Sequence, residues 1–130
     1  MTQRKILFAL KKIDDATAKN FWLEALLNNY HLNVDLLKLI YSTSALTNTV
    51  EEKKLKLIIT ELCDEIDKNP ALKTIIAKKN LKIVKVWTSK MDEFFKTLKH
   101  KQPSNTKLLF GETQKIFAIL NISAHKIFVH

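Results

Sequence analysis

The sequence predicts an all-α protein, an irregular helical bundle of about five to seven helices in a single domain spanning residues 1–130. Three observations lead there. Glycine occurs once and proline twice, whereas all-β folds consume turn residues at every hairpin. Apolar residues make up 46% and charged residues 27%, the balance of a chain able to bury a core without disulfide or metal support. Apolar side chains also recur at helical spacing along most of the chain.

A first helix is expected from Gln3 to Ile13, with Ile6, Leu7, Leu10 and Ile13 on one face and Thr2 as its cap. Asp14 and Asp15 offer an N-cap for a second helix to about Asn28, carrying Phe21, Trp22, Ala25 and Leu26. Asn33 then caps a short third helix from Val34 to Tyr41, and the Ser- and Thr-rich stretch from Ser42 to Thr49 reads as a surface link. Thr49-Val50-Glu51-Glu52 forms a capping box that should open a fourth helix, striped by Leu55, Ile58, Ile59, Leu62 and Ile66, with Cys63 at the border.

Asn69-Pro70 reads as a helix end and restart, because proline loses no amide bond in a first turn, and a short helix follows to about Ala77. From Asn80, the residues Ile83, Val84, Trp87, Met91, Phe94, Phe95 and Leu98 fall within one arc of a helical wheel. A strand fails here because apolar alternation breaks at Val84. After a loop from Lys101 to Thr106 with Pro103, a last helix starts at Lys107, or at Gly111 if that glycine breaks it. Ile116, Phe117, Ile119, Leu120 and Ile122 surround much of its circumference, marking it as the expected central helix.

Cys63 is the only cysteine, which excludes an intrachain disulfide and suits a reducing compartment. Lys11 and Lys12 interrupt the amino-terminal apolar stretch too early for a secretory signal. The apolar run from Ile116 to Leu120 is far short of the roughly 20 residues of a membrane span. A soluble, cytoplasmic protein is therefore expected.

The formal net charge is +9. Residues 70–130 hold 12 basic and 3 acidic side chains, residues 1–50 hold 6 and 4, and residues 51–69 hold 4 and 6. Nearly all of the excess thus belongs to the carboxyl-terminal part. Only Arg4 is an arginine. Lysine attracts phosphate as a point charge but lacks the planar fork that reads guanine edges, so any nucleic-acid contact should be backbone-directed. A wheel groups Lys82, Lys85, Lys96 and Lys99, with Lys78 if the helix extends backward, roughly opposite Trp87, Met91 and Phe94. Asp92 and Glu93 lie in or beside that arc. Such an arc also serves as the solvated face that any bundle helix needs, and the charge asymmetry between segments is what favours phosphate binding. The candidate nucleic-acid contacts are Lys78, Lys79, Lys82, Lys85, Lys96, Lys99, Lys101 and Lys107.

Other chemistries find little support. His31, His100, His125 and His130 show no paired metal-ligand spacing, and structural roles suit them better. Cys63 beside an apolar stripe reads as an inert packed thiol. Glu61, Asp64, Glu65 and Asp67 spread over a solvent side rather than converging. Low glycine excludes a phosphate-cradling loop, and Arg4 lacks the nearby histidine of helical ribonucleases. Trp22, Trp87, Phe21, Phe94 and Phe95 read as core first and as a base-stacking platform second. Arg4, Lys5, Lys11 and Lys12 around an apolar face give the first helix the look of a membrane-surface helix, which a bundle helix explains equally well.

The stretch from Lys107 to Phe117 is similar to a pattern in uncharacterised bacterial proteins, in which a Phe-Gly step precedes a Gln-Lys pair and an apolar helix. Gly111, Gln114 and Lys115 match it, whereas Ala118, Ser123 and His125 stand where asparagine, tyrosine and tryptophan are expected. The resemblance implies no activity. The sequence therefore predicts a non-enzymatic binding protein without metal or cofactor. Its partner is nucleic acid or a nucleoprotein complex, with a protein-interaction module of the adaptor, inhibitor or immunity type, meeting an acidic protein surface, as the alternative.

Overall fold

A computed structural model describes residues 2–43 and 54–128. Among the described residues there are six helices and no strand: α1 (Gln3–Ala18), α2 (Trp22–Thr43), α3 (Leu55–Glu65), α4 (Pro70–Ile75), α5 (Lys78–Leu98) and α6 (Thr106–Phe128). The architecture is the expected all-α bundle.

Thr2 caps α1, its hydroxyl accepting from the Lys5 amide at 3.3 Å. The helix runs past Asp14 and Asp15, which sit exposed on its outer side instead of opening a new helix. It stops where Asn20 turns into the left-handed region at φ 61°. There the Phe21 amide donates to the Ala16 carbonyl at 2.9 Å and the Asn20 amide to Thr17 at 3.0 Å, which satisfies two orphan carbonyls in a Schellman arrangement.

The expected second and third helices are one helix, α2. Asn28, Asn29 and Asn33 favour turns and caps when considered locally. In the fold Asn29 and Asn33 are 2% and 0% exposed, and the Asn33 amide donates to the Thr113 carbonyl of α6 at 3.1 Å. This cross-helix bond and the packing around it carry α2 through the asparagines. Ser42 and Thr43 belong to its last turn, while the rest of the expected link and the Thr49 capping box lie outside the described residues. Lys54 is extended, so α3 begins at Leu55.

Asn69 caps α4 by accepting from the Leu72 amide at 3.1 Å, with Pro70 in the first turn as expected. Helix α5 starts two residues before Asn80, and α6 passes through Gly111 without a break. Within the expected α5 stripe, Val84, Trp87, Met91 and Phe94 are buried, Ile83 is exposed, and Leu81 and Thr88 complete the buried arc.

Helix α2 packs most extensively against α6, then against α1, and also touches α3. It shares the central place predicted for α6, which leaves Ile122 exposed to solvent. Leu26, Leu36, Leu37 and Ile40 of α2, Leu62 of α3, Leu72 of α4, Val84 of α5 and Leu120 of α6 are fully buried in one cluster. The Tyr41 hydroxyl donates to the Glu61 carboxylate and ties α2 to α3. No helix among the described residues is long and apolar enough to cross a membrane.

Candidate nucleic-acid interface

The rotation of α5 about its axis decides which of its side chains reach solvent; the buried arc of Leu81, Val84, Trp87, Met91 and Phe94 sets that rotation, and a polar hub lies within it. Thr113 of α6, 0% exposed, accepts from the Trp87 indole at 2.9 Å and donates its hydroxyl to the Leu109 carbonyl at 2.7 Å. With the indole anchored toward α6, the opposite side of α5 carries Lys78, Lys82, Lys85 and Lys96 into solvent.

These four lysines differ in what they meet. Lys78 bridges to Asp67 at 2.9 Å and holds that carboxyl below the usual carboxylate range, mainly through the hydrogen bond. Lys96 is held by Asp92 at 3.3 Å and Glu93 at 3.9 Å. Neither Lys82 nor Lys85 forms an ion pair among the described residues. Both stand near Cys63 of α3: burial pushes its thiol up, and the two positive charges oppose that push.

Lys85 and Lys96 line one wall of a groove of about 790 Å³ between α5 and α3. Lys54 and Lys56 line the other, Asp92 and Glu93 share the α5 wall, and Tyr30 of α2 and Phe95 of α5 also line the groove, their rings edge to face at 4.9 Å. Burial, and secondarily the charge of Asp92, push the Tyr30 hydroxyl up, so it stays protonated at neutral pH. The sequence reading missed Lys54 and Lys56, because they belong to a segment whose net charge is negative. The groove gathers Lys54 and Lys56 without Asp64, Glu65 or Asp67 among its lining residues, and a wheel does not show this because Lys54 precedes α3.

The remaining candidates disperse. Lys79 is exposed beside the main arc, and Lys99 and Lys101 are exposed at the end of α5 and just beyond it. By helix rise, Lys78 and Lys96 stand roughly 27 Å apart along the axis. Lys107 sits elsewhere, its ammonium 4.8 Å from the Trp22 ring centre in a second groove with His31 and Pro103. Lys90, outside the expected set, bridges to Glu112 at 3.2 Å. Of the aromatic residues, Trp87 and Phe94 are core, whereas Phe21 is 53% exposed and Phe95 is half-buried at the lysine groove.

The chain matches no protein-family model, no curated protein and no solved structure.

Proposed function

We propose that this protein is a non-enzymatic binding protein that associates with nucleic acid, or with a nucleoprotein complex, through its lysine-rich α5 surface. The observation that supports this reading is that Lys54, Lys56 and Lys85 line one groove, with Lys82, which forms no ion pair among the described residues, one turn of α5 away. Each ammonium neutralises a phosphate and releases counterions. Four such contacts give a slope of log affinity against log salt of about −3 to −4. Fluorescence anisotropy with mixed-sequence oligonucleotides across a salt series tests this. Affinity that is immeasurable in dilute salt, or that is indifferent to salt, removes the proposal.

A second reading has its own observation. The shallow groove between α5 and α6 exposes Val86 at 57% and Leu108 at 70%, beside the Lys90–Glu112 bridge. Apolar exposure flanked by charge suits a protein partner with an acidic rim better than it suits phosphate. Affinity purification with and without nuclease separates the two readings, since a stoichiometric protein complex survives the nuclease.

A further inference from the structure

Resting on the nucleic-acid reading, we infer that the α3–α5 groove takes a single strand rather than a duplex, its bases stacking on Tyr30 and Phe95 and its phosphates meeting Lys54, Lys56 and Lys85. Lys54, Lys56, Lys85 and Lys96 outnumber Asp92 and Glu93 along the groove, and Tyr30 and Phe95, both half-buried, line its open space. A volume of about 790 Å³ belongs to the range that encloses small organic groups, and it holds nucleobases rather than a double helix. A duplex keeps its base faces inside its own stack and offers none to a protein ring, whereas a single strand presents every base face.

The same groove has little with which to read a sequence. The hydroxyls of Thr60, Thr88 and Ser89 donate to carbonyls of their own helices, at 2.8, 2.9 and 3.4 Å. Lysine lacks the fork that recognises a base edge. The strand is therefore bound with tolerance for sequence. Asp92 and Glu93 also line the groove, offset by Lys96. The Lys78–Asp67 bridge and the nearness of Lys82 and Lys85 to Cys63 set α3 antiparallel to α5, so Lys54 and Lys56 stand at the Asp92–Lys96 end and Lys85 at the other, and the phosphates follow the lysines along the groove.

The test compares three probes of equal length on the full chain in dilute salt: a labelled oligothymidylate, an abasic strand with the same number of phosphates, and a duplex. Stacking of even one base is worth about 1–3 kcal/mol, so oligothymidylate should bind roughly tenfold or more tightly than the abasic strand. Phe95→Leu should bring that ratio toward one while keeping an apolar side chain. The ratio is read within each protein, so partial unfolding of the variant does not imitate the effect, and the wild-type ratio stands by itself if the variant fails to fold. Lys85→Glu should weaken both single strands. Equal affinity for thymidylate and abasic strands, or a duplex bound as tightly as either, overturns the single-strand inference while leaving nucleic-acid binding intact. Failure of all three probes to bind overturns both.

Discussion

Thr113→Val isolates the polar hub within the buried arc that orients α5. Valine keeps the shape of threonine, so no cavity opens and the change removes one hydroxyl from a site that is fully buried. The Leu109 carbonyl loses only a supplementary donor, because carbonyls in the middle of a helix also accept the regular backbone bond. The Trp87 indole, 2% exposed, loses the acceptor that lies 2.9 Å away. An unsatisfied buried donor costs about 1–3 kcal/mol. With a urea dependence of about 2 kcal/mol per molar, the unfolding midpoint should fall by about 0.5–1.5 M with an unchanged slope. Trp87→Phe removes the donor, so the double variant should be less destabilised than the sum of the single changes, by about 1 kcal/mol. Circular dichroism during urea titration of all four proteins measures the cycle. Additivity within about 0.5 kcal/mol, or a negligible cost for Thr113→Val, refutes the claim that this bond anchors α5.

Three other outcomes are expected. Gly111 lies inside α6 and an added Cβ there meets nothing within 4 Å, so Gly111→Ala should stabilise the protein by about 0.5–1 kcal/mol in the same urea assay. Burial raises the Cys63 thiol above its ordinary value while Lys85 and Lys82 lower it, so alkylation should rise at a higher pH than for a free cysteine. Lys85→Ala should shift that profile higher still. Because the folded thiol resists ionisation, its contribution to stability is present at neutral pH and is lost as pH rises through the folded value. Asp67 has the opposite sign: its lowered carboxyl contributes above the unfolded value and loses that contribution as pH falls through the folded one. Lys78→Met should return the Asp67 titration, followed by NMR, to the usual carboxylate range.

Some local features translated directly into structure, although Asp14 and Asp15, equally local cap candidates, lie within α1. Thr2 and Asn69 cap the helices expected of them, and Pro70 opens α4, since each acts within one turn of chain. The asparagines of α2 show the limit. Asn28 to Asn33 resemble a helix end when read alone, yet a bond from Asn33 to α6, 80 positions away, keeps the helix whole. Ile83 shows another limit: it fits the apolar spacing of α5 but lies outside the arc that α3 and α6 cover, and it is 49% exposed.

For the lysine surface the division is similar. Composition and spacing by themselves determined that the chain is helical, that its excess charge is lysine from the carboxyl-terminal part, and that Lys82, Lys85, Lys96 and Lys99, with Lys78 if the helix extends backward, share one side of a helix. Those properties depend on residue type and on a 3.6-residue period. The pairing of Lys96 with Asp92 and Glu93 also follows from spacing within one helix, whereas tertiary structure alone decided that Lys78 is spent on Asp67, that Lys82 and Lys85 form no ion pair among the described residues, and that Lys85 shares a groove with Lys54 and Lys56. Ion pairing between separate elements and concavity depend on distances across the fold, and packing sets those distances.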